Sequence, residues 1–145
     1  MDRIESRNNP RVKNAIDTRT KPSKNAFLVE GFHVVEMANA ASCLDEVFSR
    51  EPYSAPGVIV HQCPMSIVDK ISSNKSPEGI VGVAHYKDPN PGLNSDRVLV
   101  LDRVQDPGNM GPLLRTALAF GYKDIFLLPG CCSPFNGKVV AGTQG

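Results

Sequence analysis

The chain has 145 residues, 41% of them apolar, with 16 Lys and Arg against 15 Asp and Glu and a formal net charge of +1. That apolar share supports one or two small cores, but no apolar run approaches the ~20 residues that span a bilayer, and Met1-Asp-Arg-Ile-Glu5 carries no apolar signal region. Cys43, Cys63, Cys131 and Cys132 form no C-x-x-C pair, and adjacent cysteines rarely bridge, so the pattern implies a reducing, intracellular compartment rather than a disulfide scaffold.

Asn9-Pro10 opens the first predicted helix, with Pro10 near its first position, running to about Thr18. Residues 26–30 read as a strand. Residues 31–41 read as a helix, with Phe32, Val35, Met37 and Ala38 at helical spacing. Val47-Phe48 is a short strand and residues 58–61 another. Residues 64–72 form a helix with Ile67, Val68 and Ile71 on one side, and 79–86 a last strand. Strands alternating with helices imply a small three-layer α/β/α domain over residues 1–87. Two prolines, a glycine and two asparagines make 88–96 a linker, so a second domain spans 97–145.

That second segment begins with the apolar run Val98-Leu-Val-Leu101, closed by Asp102, and a second run follows at Ile125-Phe-Leu-Leu128. Between them Asn109 is the expected N-cap, Pro112 falls in the first turn, and Gly121 stops the helix. Strand, helix, strand in this order is one βαβ unit of a parallel sheet. Ligands in such sheets sit beyond the carboxyl ends of the strands, which brings loops 102–109 and 129–134 side by side. Leu113, Leu114, Ala117, Leu118, Ala119 and Phe120 cover nearly every helix face, so the helix is expected to be largely buried. Arg115 is its only charge, and a buried guanidinium needs a paired anion. Two partners fit: Asp102 or Asp106 in a structural salt bridge, or a ligand phosphate or reacting oxygen.

Charge is unevenly distributed. Residues 1–24 carry Arg3, Arg7, Arg11, Lys13, Arg19, Lys21 and Lys24 against Asp2, Glu5 and Asp17, a local +4 that leaves −3 for the rest. Such a segment is either an ordinary solvated face or a contact for a phosphate backbone, whose condensed counterions it would release. His33, His61 and His85 lack ligand spacing, and no metal is expected. Cys131 and Cys132 read as packing residues before they read as nucleophiles.

The passage Leu101-Asp-Arg-Val-Gln-Asp-Pro-Gly-Asn109-Met-Gly111-Pro-Leu-Leu-Arg115-Thr-Ala117 resembles the first motif of the SpoU (TrmH-like) RNA ribose methyltransferases, of the SPOUT class. The likeness extends forward through Pro129-Gly-Cys-Cys-Ser-Pro-Phe-Asn-Gly-Lys138. It extends back to Ile4-Glu-Ser-Arg-Asn-Asn-Pro10-Arg-Val-Lys13 and Phe27-Leu-Val-Glu-Gly31, which look like the family's RNA substrate-binding domain. The resemblance implies methyl transfer from S-adenosylmethionine to a ribose 2′-hydroxyl of rRNA or tRNA. Arg115 and Asn109 would be the catalytic pair, and Arg3, Arg7, Arg11, Lys13, Lys21 and Lys24 the RNA contacts. Arginine is a poor base, so Arg115 is expected to hold an RNA phosphate and stabilise the developing alkoxide.

In this family the later motifs fold into a trefoil knot that builds most of the cofactor pocket and the homodimer interface. The chain is therefore expected to hold only the first part of that parallel-sheet domain, with the knot missing. It is expected to bind structured RNA but not S-adenosylmethionine, and to leave residues 97–145 loosely packed. Where the family has Lys followed by two apolar residues, Arg, Ala and Ser, this chain has Lys138-Val-Val-Ala-Gly142-Thr143, an altered end. A non-catalytic RNA-binding module is the alternative. An unrelated nucleotide-binding α/β enzyme is disfavoured by the lack of G-x-G-x-x-G after Leu101. Cytoplasm and organelle stay equally open.

Overall fold

The computed structural model describes residues 2–87, 92–93 and 95–145; residues 88–91 and 94 of the expected linker lie outside them. The chain opens with a two-residue strand, β1 (Asp2–Arg3), too short for any sequence pattern to announce. Helix α1 (Pro10–Thr20) starts as its sequence dictates: the Asn9 side chain accepts a bond from the Arg11 N–H and Pro10 presets the first turn. There follow β2 (Phe27–Glu30), α2 (Phe32–Ala40), β3 (Leu44–Ser49), β4 (Ile59–Gln62), α3 (Met65–Ile71) and β5 (Ile80–Ala84).

These strands form one mixed sheet in the order β1-β4-β3-β5-β2, with β1, β4 and β3 parallel and β5 antiparallel to both β3 and β2. Alternation along each strand sorts the side chains between two layers. Leu28, Phe48 and Val81 meet Val12 and Ala15 of α1 and Ile67, Val68 and Ile71 of α3. Val29, Val47 and Ile80 face the other way, onto Val34 and Val35 of α2. Full burial of each large side chain stabilises the fold by about 1.5–3 kcal/mol. At Gly82 a Cβ would lie 2.7 Å from Leu44 Cδ1 and 2.8 Å from Val29 Cγ2, so glycine there lets the α2 layer close over the sheet. The three-layer α/β/α arrangement expected for residues 1–87 is the one observed.

A polar group sits inside this core. His61 is 1% exposed, its ring centroid 5.1 Å from that of Phe48. Its Nε2 lies 2.7 Å from Glu46 Oε1, which also accepts Arg11 Nη1 at 2.9 Å. Truncation removes both the ring packing and the bond to Glu46. His61→Ala is expected to cost about 1–3 kcal/mol. Urea denaturation checks this, and an unchanged midpoint would contradict it.

The second segment contains β6 (Val98–Leu101), α4 (Pro107–Ala119), β7 (Asp124–Leu127) and α5 (Gly137–Thr143). Strands β6 and β7 pair in parallel, from Val98 opposite Asp124 to Leu101 opposite Leu127, so the βαβ reading holds. Gly121, at φ +84°, ends α4 as expected. The start of α4 differs from expectation. Asp106 is the N-cap, its Oδ1 accepting the Gly108 N–H at 2.8 Å, and Pro107 takes the first helical position. Asp106-Pro107 supplies both a cap and a preset φ, so it wins over Asn109, which lies in the first turn. Pro112 is thereby inside the helix, without an N–H for the carbonyl four residues back.

Burial of α4 was also overestimated. Only Met110, Gly111 and Ala117 are buried, while Leu113, Leu118 and Phe120 are exposed, the last two at 64% and 72%. Its apolar residues do cover nearly every face, but only the face toward α5 has cover. The loose packing expected of residues 97–145 is likewise half right. Val100 and Phe126, cross-strand partners on the small sheet, stand exposed. Helix α5, in contrast, leans on the first sheet: Val140 packs against the α2 layer, and Phe135 lies 5.3 Å from Phe27 and 6.0 Å from Tyr86 between ring centroids. His33 Nε2 stands 3.0 Å from the Gln144 carbonyl oxygen.

Candidate functional site

Parallel pairing carries the two strand-end loops to one place, and backbone bonds join them. The Leu128 N–H donates to the Leu101 carbonyl and the Cys132 N–H to the Val104 carbonyl, both at 2.9 Å. Cys131 Sγ adds a contact to the Leu101 oxygen at 3.3 Å. Gly130, at φ +94°, comes so close to Arg103 that a Cβ would sit 3.0 Å from its Cγ. The expected adjacency of loops 102–109 and 129–134 is therefore observed. Cys132 lies 3.7 Å from Met110 Sδ, and desolvation pushes its thiol pKa up. Burial pushes the Cys63 thiol to about 11. Both shifts disfavour thiolate, which supports packing over nucleophilic roles.

Asn109 is exposed on a cavity of about 580 Å³, shared with Arg103, Gln105, Asp106 and Leu113. Arg115 is exposed too, on a different, mostly apolar cavity of about 410 Å³ between α2, α4 and α5, with Met37, Tyr86, Leu118, Pro134 and Phe135. Six residues along a helix leave Asn109 and Arg115 roughly 120° apart around its axis, so the fold does not bring them together. The buried salt bridge considered for Arg115 is absent: Asp102 pairs with Arg103 at 3.1 Å, and Asp106 caps α4. Among the described residues Arg115 has no ion-pair partner. Solvent meets its charge because α4 lacks cover on that face, and Pro134 places it beside the second strand-end loop.

The basic N-terminal residues divide into two groups. Arg3 pairs with Glu5 at 3.1 Å and Arg11 with Glu46 at 2.9 Å. Arg7, Lys13, Lys21 and Lys24 are exposed without carboxylate partners among the described residues. Arg19 has a role the sequence did not reveal. Its Nη1 donates to the carbonyls of Lys70, Ile71 and Ser72 at 3.0, 3.2 and 2.8 Å, closing the C-terminal end of α3.

S-adenosylmethionine is the cofactor the resemblance implies; in the strand-end loops the Leu101 and Val104 carbonyls are already engaged by the Leu128 and Cys132 N–H groups. Among the described residues no three His, Cys, Asp or Glu side chains gather as metal ligands, and no helix is long and apolar enough to cross a membrane.

Residues 96–145 match the model of the SpoU rRNA Methylase family. The chain is 36% identical over 155 aligned positions to the 23S rRNA (guanosine(2553)-2'-O)-methyltransferase RlmP of Bacillus subtilis, covering 100% of this chain and 62% of that protein. The rRNA methyltransferase from Sinorhizobium meliloti shares the fold, with a TM-score of 0.81 at 23% identity over 99% of this chain and 61% of its own. The AdoMet-bound structure of rRNA methyltransferase from the same organism gives 0.79 at 25% identity, over 99% and 60%. The chain thus spans about three-fifths of the length of these relatives. Residues 96–145 therefore belong to the SpoU rRNA Methylase family, and the whole chain is similar to RNA methyltransferases of that family over about three-fifths of their length.

Proposed function

We propose that this chain supplies the RNA-holding part and the first catalytic motif of an enzyme that methylates a ribose 2′-hydroxyl of ribosomal or transfer RNA. The observation that carries the reading is the β6–α4–β7 unit, whose family motif opens α4 while its two strand-end loops are bonded side by side. Residues 1–87 form an RNA substrate-binding domain, 88–96 a linker, and 97–145 part of the methyltransferase domain. S-adenosylmethionine supplies the methyl group in this chemistry. This chain's own contribution is to bind and orient RNA: the exposed Arg115 meets an RNA phosphate and steadies negative charge developing on the ribose oxygen. Asn109 orders the motif loop at the head of α4. Arg3, Arg7, Arg11, Lys13, Lys21 and Lys24 contact backbone phosphates. A homodimer is the working assembly of the enzyme, in a reducing intracellular compartment.

Residues 1–145 by themselves act as an RNA-binding module, a reading favoured by the exposed Arg7, Lys13, Lys21 and Lys24, which have no carboxylate partner among the described residues. Separate titrations with a structured RNA and with S-adenosylmethionine test this. RNA affinity is expected to fall linearly in log K against log salt, by about 0.9 in slope per phosphate contact to duplex, with no saturable cofactor binding. Salt-independent RNA binding, or micromolar cofactor affinity, would refute it.

A further inference from the structure

A third cleft, of about 500 Å³ and with a mixed polar and apolar lining, lies where the first segment meets α5. Arg19, Ser73, Asn74 and Lys75 of the first segment line it together with Asn136 and Lys138 of the second. The two sides are in close register: a Cβ on Gly137 would sit 3.4 Å from Ser73 Oγ and 3.8 Å from Glu30 Oε1. Glu30 is the one carboxylate in the lining, and its oxygens already accept the Ser72 and Ser73 hydroxyls and, at 3.0 Å, the Ser73 N–H.

The cations are arranged differently. Arg19 uses Nη1 to clasp three carbonyls, which fixes the guanidinium, while its Nε and Nη2 make no hydrogen bond among the described residues. Lys75 and Lys138 are exposed, and neither has a carboxylate partner within salt-bridge distance among the described residues. Three like charges facing one cleft repel one another unless an anion enters. The side-chain amides of Asn74 and Asn136 in the lining can donate to phosphate oxygens.

We infer that this cleft is a seat for the RNA sugar–phosphate backbone, joining the substrate-binding sheet to the motif-bearing segment, with Arg19, Lys75 and Lys138 as its phosphate contacts. The inference rests on the RNA reading above and adds residues that reading does not contain. Lys138 gives it mechanical meaning. It stands on α5, which crosses α4, so RNA held here is held in register with the helix that carries Arg115.

The test is fluorescence anisotropy of a labelled RNA stem–loop against wild type, Lys75→Ala/Lys138→Ala and Lys123→Ala, at several salt concentrations. Both cleft lysines are exposed and without ion-pair partners among the described residues, so circular dichroism melts of the double variant should match wild type. The double variant is expected to bind at least tenfold more weakly at low salt. Its log K against log salt slope should be shallower by about 1.5–2, as two lost phosphate contacts require. Lys123→Ala, just before β7 and outside the cleft lining, should keep the wild-type slope. Unchanged affinity and slope in the double variant, while wild type binds, overturns the seat alone. Weaker binding with an unchanged slope also overturns it, since the loss would not come from phosphate. A wild type that binds no RNA overturns the underlying RNA reading instead.

Discussion

Gly111→Val is expected to lower the melting temperature by about 10 °C, the largest stability effect of any single substitution on the α4 face. Helices α4 and α5 cross where Gly111 meets Gly142. A Cβ at Gly111 would lie 2.7 Å from the Val139 carbonyl oxygen and 2.8 Å from Gly142 Cα, both backbone atoms that no rotamer change can move. Overpacking of this kind costs about 3 kcal/mol or more when backbone must shift, which for a chain of this length is roughly 10 °C. The helices would have to separate, and Val140 would leave the α2 layer with them. Gly121→Ala is the informative contrast. Nothing lies within 4 Å of its Cβ position, so only the φ of +84° resists substitution, at about 1–2 kcal/mol. Scanning calorimetry of the two variants decides the matter. If Gly111→Val melts no lower than Gly121→Ala, the glycine crossing is not what holds α5.

That crossing also explains where the sequence could and could not be read. The first sheet was legible because period-two alternation is local: Leu28 and Val29, or Phe48 and Val47, announce opposite faces without knowledge of what covers them. Asn9-Pro10 and Gly121 were legible for the same reason, as caps and stops act within one turn. Helix α5 was not, because Gly137-Lys-Val-Val-Ala-Gly-Thr143 is a weak helix former by composition. What stabilises it is the close approach of α4 and the apolar layer under α2, both distant in sequence. Arg115 failed in the opposite direction. Its apolar neighbours Leu114 and Leu118 were read as burial, but apolar residues state a preference for cover and not its presence. The strand-end loops were legible through the rule for parallel sheets. The cleft holding Arg19, Lys75 and Lys138 was not, since those residues lie on α1, in the loop after α3 and on α5, and only the fold assembles them.

Exposure changes what Arg115 must do, and so sharpens the prediction for its removal. A buried, salt-bridged arginine would be lost at the expense of folding, and any fall in activity would be ambiguous. Here Arg115 makes no ion pair among the described residues and stands at the mouth of a cavity lined by Leu114, Leu118, Pro134 and Phe135. Arg115→Ala should therefore leave the melting temperature within a degree or two, as exposed substitutions usually do. Activity is to be measured in an enzyme built on this chain, with the part of the Bacillus subtilis relative that it does not match supplied at its end. There the substitution is expected to slow single-turnover methylation by about 10²–10³-fold, the usual loss when one preorganised charge stabiliser is removed. RNA affinity should fall only a few-fold, since one phosphate contact among several is lost. Arg115→Lys should recover part of the rate, because a point charge replaces the fork but not its two-point grip. A general-base role would instead give a steep rise in the Arg115→Lys rate with pH, as the lysine deprotonates more readily than arginine. Near-wild-type single-turnover rates for Arg115→Ala would remove Arg115 from the chemistry altogether, leaving RNA binding as what this segment contributes.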